Sequence, residues 1–152
     1  MPLSIRFDYR FDATGFFDVA ERRAALEEAG RIWGEIIGDD FAEVPAGVSF
    51  SVTDPSDGTT NRDVTLTSNV DDLIVFVGAR DLATSLGRAG PSGYDAVGDA
   101  FRLRIDSDFR DAGPVTDFEP WAGTIVFDTD ANWSYSTTTV DPNRFDFLSV
   151  AL

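Results

Sequence analysis

Apolar and charged side chains alternate without a fault from Ile5 to Asp12: Ile5, Phe7, Tyr9 and Phe11 fall on one side, Arg6, Asp8, Arg10 and Asp12 on the other. That period of two predicts a half-buried strand with opposite charges paired along its outer face. Ala13-Thr14-Gly15 ends it, and the period then changes. Between residues 18 and 37, Leu26, Ala29, Ile32, Trp33, Ile36 and Ile37 recur at three- and four-residue steps, the single apolar stripe of an amphipathic helix. Asp18 with Glu21 has the spacing of a capping box at its start, and Gly38 stands where a C-terminal cap belongs.

Strand patterns follow. Val48–Thr53 alternates after the Pro45-Ala46-Gly47 turn, Val64–Thr67 is a shorter candidate, and Asp54-Pro55-Ser56-Asp57-Gly58 between them reads as a turn. Leu73–Val77 is apolar throughout, as expected of a strand covered on both faces. Residues 84–120 are rich in Gly and Pro and read mostly as loop, with a short alternating strand at Phe101–Ile105. Within them Gly87-Arg88-Ala89-Gly90-Pro91-Ser92-Gly93 lacks the Lys-Ser/Thr of a phosphate-binding loop and reads as a flexible loop beside a cleft. Gly123–Asp128 is a further strand, and Arg144–Leu152 opens like a buried helix. The order predicts one α/β (α+β) domain: a twisted mixed sheet of about four to five strands, one long backing helix, and a second helix beginning at the C-terminus.

Composition narrows the chemistry. The chain has 152 residues, 43% hydrophobic and 26% charged, enough apolar material for a core. Its 12 cations are all Arg, against 27 acids, for a net charge of −15. Such a surface repels phosphate backbones and anionic lipid, so neither nucleic acid nor membrane is an expected partner. Cys and His are absent, which excludes thiol nucleophiles, His bases, Ser-His-Asp triads and His- or Cys-ligated zinc within these residues.

Gly123-Thr124-Ile125-Val126-Phe127-Asp128-Thr129-Asp130-Ala131-Asn132-Trp133, a polar loop, and Phe147-Leu148-Ser149-Val150-Ala151-Leu152 resemble the run that leads into the active-site helix of metzincin zinc metallopeptidases, the matrixin and serralysin branches above all. In that family the helix opens with small and apolar residues ahead of His-Glu-x-x-His-x-x-Gly-x-x-His, and this sequence stops where the first of those histidines would stand. Upstream, Ile5–Asp12 corresponds to the family's first strand, Asp18–Ile37 to its backing helix and Asp72–Val77 to the strand before its variable loop.

The resemblance implies the N-terminal subdomain of a secreted bacterial endopeptidase, inactive alone, with no catalytic residue of its own. Its zinc and catalytic Glu would come from the missing C-terminal subdomain. Val126 stands where many matrixins carry a His for a structural zinc, so no second zinc is implied. Gly123, Thr124 and Ile125 would bind peptide or protein substrate along an edge strand, and Asp128 and Asp130 would be calcium ligands. Asp106 and Asp108 repeat the acidic spacing without family support.

Two other classes compete. One is a non-enzymatic acidic module, a calcium-binding extracellular adhesion or interaction domain complete at residue 152. The other is a carboxylate hydrolase, which would need a partner acid for Glu119, the one Glu in an aromatic setting.

Overall fold

Asp8 ends the first strand four residues before the alternation does. Its carboxylate accepts the backbone N–H of Arg10 at 3.0 Å, a local turn that competes with the sheet ladder. The strand β1 therefore runs only Ile5–Asp8. Asp12 then organises the next turn, accepting the N–H of Phe17 at 2.7 Å and the hydroxyl of Thr14 at 3.0 Å. In this computed structural model, which describes residues 3–38, 43–91 and 121–152, residues Phe16–Asp18 form a 3₁₀ turn that buries Phe16 and Phe17.

That turn corrects the expected helix start. The helix α1 spans Ala20–Ile36, with Val19 as N-cap, no side-chain cap, and Ile37 rather than Gly38 as C-cap. Its buried face also differs from the stripe of large residues. Ala25, Leu26, Ala29, Gly30 and Gly34 are buried, whereas Trp33 and Ile36 stay 37% and 66% exposed. The reason is close approach to β1: a Cβ on Gly30 would lie 2.7 Å from Phe7 Cε2, and one on Gly34 would lie 2.3 Å from the carbonyl oxygen of Leu3.

The strands β2 (Ser49–Thr53) and β3 (Asn61–Thr65) form an antiparallel hairpin, with Phe50 opposite Val64. β4 (Leu73–Arg80), β5 (Gly87–Pro91) and β6 (Ala122–Asp128) join β1 in a mixed sheet of four strands, in the order β1-β4-β6-β5. β1, β4 and β6 are parallel, and β5 is antiparallel to β6. Two-residue strands β7 (Trp133–Ser134) and β8 (Phe145–Asp146) pair in parallel just before the short helix α2, Phe147–Ala151. Asp146 caps α2, accepting the N–H of Ser149 at 3.0 Å. The architecture is thus α/β with a four-stranded mixed sheet, one long helix and a second short helix at the C-terminus. No described helix is long and apolar enough to cross a membrane.

The sheet has two covered faces. The hairpin buries Phe50, Val52 and Val64 against Ile74, Phe76, Trp121 and Ala122. On the other face Ala25 and Leu26 of α1 join Phe17, Val77, Ala79, Phe127, Trp133 and Phe147. β4 has core on both sides, which is why it reads as an unbroken apolar run.

One hydroxyl in this core is left without a partner among the described residues. Tyr9 packs against Phe17 at 5.4 Å between ring centroids, with the Arg23 guanidinium 4.6 Å over its own ring, and its buried oxygen makes no hydrogen bond. Burial, reinforced by Glu27 and opposed by Arg23, pushes its pKa up to about 12. Because the folded state holds this proton more tightly than the unfolded chain, the associated stability is complete below pH 10 and falls away between pH 10 and 12. Tyr9→Phe removes an unsatisfied group, so we expect it to raise stability by roughly 1 kcal/mol at neutral pH and to shallow that alkaline decline. Urea titrations at pH 7 and pH 11 measure both, and a loss of stability at pH 7 would contradict the orphan hydroxyl.

Candidate substrate cleft

Gly123, Thr124 and Ile125 do not lie on an edge. They sit in β6 with Val75, Phe76 and Val77 of β4 on one side and Pro91, Gly90 and Ala89 of β5 on the other. The expected edge strand is corrected accordingly, since ladder partners flank all three residues. What displaces them is Gly87–Pro91, which composition reads as loop and which folds as a strand against β6.

β5 is the outer strand of this sheet, and its alternation says which groups face outward. The Asp128 N–H donates to the Leu86 carbonyl at 3.0 Å, which fixes the hydrogen-bonded pairs of the antiparallel ladder at every second residue. Arg88 and Gly90 therefore turn their backbone groups toward β6. Gly87 and Ala89 turn N–H and C=O away from it, and Pro91 contributes a carbonyl alone. Among the described residues no strand pairs with this side.

Beside it, between α1 and the sheet, runs an open groove of about 500 Å³. Ile5, Phe7, Leu26, Ala29, Val75 and Ile125 line it, Ala89 to Pro91 form one border, and Ala151 of α2 reaches it from the C-terminal end. The lining is almost wholly apolar, and α2 is fixed at its mouth because Trp33 Nε1 donates to the Leu152 carbonyl at 2.8 Å.

The acidic pair after β6 is divided between two environments. Asp128 is 6% exposed, and its carboxylate accepts the buried N–H of Leu82 at 2.8 Å. Its carbonyl accepts Trp133 Nε1 at 2.8 Å. Asp130 is exposed and accepts the Thr129 hydroxyl at 3.2 Å. Among the described residues no three acidic side chains converge as a metal site, and with no His or Cys in the sequence these residues do not fit a catalytic zinc. Phe101–Ile105, Asp106, Asp108, Glu119, and Ser92 and Gly93 of the Gly-rich run lie outside the described residues.

No family model, no curated protein and no solved structure matches the chain. The cleft therefore has to be read from its own geometry. The outward groups of Gly87 and Ala89 were not legible in the sequence, because a strand of Gly, Arg, Ala, Gly and Pro has no side-chain period. The one available signal was Asp-Leu-Ala-Thr-Ser-Leu (Asp81–Leu86), a turn-rich link directly after a buried strand.

Proposed function

We propose that the chain is the scaffold and substrate-cleft half of a secreted bacterial zinc-dependent endopeptidase of the metzincin kind, inactive by itself. The zinc helix would be the continuation of α2. The single observation that carries this reading is the open apolar groove that Ala151 of α2 helps to line. A helix prolonged from α2 would find there an apolar floor on the sheet and an apolar wall on α1, the surface that a buried helix needs. The metal donors would come from outside these residues, so no catalytic step is assigned to them.

What this half contributes is peptide binding. An extended peptide can add to the outward side of β5, exchanging hydrogen bonds with Gly87 and Ala89, while Pro91, lacking an N–H, limits the register. Ala89→Pro deletes the outward N–H of residue 89 and spares the β5–β6 ladder, which does not use it. We expect the variant to keep its fold and lose at least tenfold in affinity for an extended substrate peptide. The measurement is peptide titration of both proteins followed on the amide of Gly87, which the two share.

The parent reading is tested by the coding sequence after Leu152. His-Glu-x-x-His in frame within about a dozen codons supports it, and a stop codon there overturns it. The competing reading, a calcium-binding interaction module, has less geometric support. Asp128 already spends one oxygen on Leu82, and Asp130 is the only other acid of the proposed pair, whereas calcium wants six to eight oxygens.

A further inference from the structure

On the hairpin face of the sheet, Arg80 and Arg88 pair with no carboxylate among the described residues, in a chain with 27 acids and 12 bases. Arg80 ends β4, and Arg88 lies on β5, in register with Gly78 through Val126. The two are thus two strands apart, about 10 Å sideways, and offset by one same-face step. Both line a single cavity of about 220 Å³.

The roof of that cavity is the Asp54–Gly58 turn. Gly78 lets it lie directly on β4, because a Cβ there would come within 2.9 Å of Pro55 Cγ. Gly58 in turn lets the Arg80 guanidinium lie against the turn backbone: a Cβ on Gly58, whose φ is +74°, would sit 2.5 Å from Nη2 and 2.6 Å from Cζ. The Arg80 Nε is shielded from solvent and has no acceptor among the described residues. A guanidinium held in place with an unmet buried donor is a group built to receive an oxygen. Among the described residues Arg88 has only a long contact, 3.4 Å, to the Ser85 hydroxyl.

Neighbouring acids among the described residues do not supply that oxygen. Asp54, the one carboxylate among the cavity's described lining residues, is committed to Arg62 Nε at 2.9 Å and to the N–H of Ser56 at 2.8 Å. Asp128, the register partner of Arg80, bonds Leu82 and forms no ion pair with it. A second cavity also holds two arginines, Arg22 and Arg144, but Glu21 lines it beside them, and Arg22 already donates to the Phe16 carbonyl at 2.9 Å.

We infer that the cavity beneath the Asp54–Gly58 turn is a carboxylate-binding site, with Arg80 and Arg88 as its two cationic clamps. Each carboxylate group brings a single charge in a planar fork that a guanidinium matches with two parallel N–H donors, whereas a phosphate concentrates two charges on one group in the field of a chain at −15. The carboxylate can be that of a free dicarboxylate or of an acidic side chain in a peptide. This site needs neither zinc nor the groove, so its fate is separate from that of the peptidase reading.

The experiment is a nuclear magnetic resonance titration of the ¹⁵N-labelled chain with succinate, and separately with acetyl-Ala-Glu-Ala-amide, at constant ionic strength against sodium chloride. Saturable shifts of the Arg80 and Arg88 Nε–H signals and of the Gly58 amide are expected, weakened at least about tenfold in Arg88→Ala and in Arg80→Gln. Arg6→Ala, whose guanidinium instead bonds Ser68 and Asn69, should bind as the parent does. Tighter binding of the dicarboxylate or of the peptide names the source, and either supports the site. Shifts that chloride reproduces, affinity unchanged in Arg88→Ala, or tighter binding of inorganic phosphate would overturn it. Arg88 is exposed, so its variant keeps the test decisive if Arg80→Gln fails to fold.

Discussion

Replacing Phe147 by alanine is expected to remove about 3–5 kcal/mol of stability, lowering Tm by roughly 6–20 °C for a domain of this size. Phe147 is fully buried although it opens a helix of only five residues. Its ring centroid lies 4.4 Å from Phe127, 5.2 Å from both Trp133 and Tyr135, 6.2 Å from Phe17 and 6.5 Å from Phe16. These rings come from the 3₁₀ turn, β6, the β7 segment and α2, so one side chain ties together the parts that frame the cleft.

Truncation would leave a cavity that five surrounding rings cannot easily close, because each is already fixed by its own neighbours. So short a helix has almost no stability of its own. The same change should therefore free α2 from α1 and raise hydrogen exchange at Val150 and Ala151 before the rest of the domain opens. Phe147→Leu keeps most of the volume and should cost under about 2 kcal/mol. Chemical denaturation of both variants measures the difference. A loss below 1 kcal/mol in Phe147→Ala would mean that α2 is not seated in the aromatic cluster.

The elements that the sequence made legible are those whose side chains carry a period. Ile5 to Asp8 alternate, Leu73 to Val77 are uniformly apolar, and Leu26 and Ala29 mark the inner face of α1, so strand, buried strand and helix could each be read locally. β5 could not. Gly87 to Pro91 have no period, and their strand form comes from pairing with Phe127 to Gly123, residues about 35 positions away. Missing that strand also misplaced the edge of the sheet, and with it the groups able to meet a peptide. The helix start failed for a related reason: Asp18 and Glu21 have capping spacing, but burial of Phe16 and Phe17 folds residues 16–18 into a 3₁₀ turn and moves the cap to Val19. The cavity with Arg80 and Arg88 was equally silent, since two arginines eight residues apart acquire meaning only through the register across β6.

Glycines form the other part that hydrophobic periodicity cannot register, and they carry the second large effect. In an ordinary helix interior Gly34→Ala would add about 1 kcal/mol; here we expect the opposite sign, a loss of about 1–3 kcal/mol. The new Cβ would sit 2.3 Å from the Leu3 carbonyl oxygen, which is backbone and cannot rotate aside. Nor can Leu3 simply withdraw, because its N–H donates to the carbonyls of Gly34 at 3.1 Å and Ile37 at 3.4 Å. Relief would require α1 to lift from β1. That shift would also change the spacing at Gly30 and Phe7, a close approach between the helix and the sheet floor of the groove. Gly38→Ala is the matched control: a Cβ there meets nothing within 4 Å, so stability should move by less than about 0.5 kcal/mol. Denaturant midpoints for the two variants decide the matter. A stabilised Gly34→Ala would show that the chain at Leu3 does not hold its place under α1, and that the width of the groove is set by something other than the two glycines.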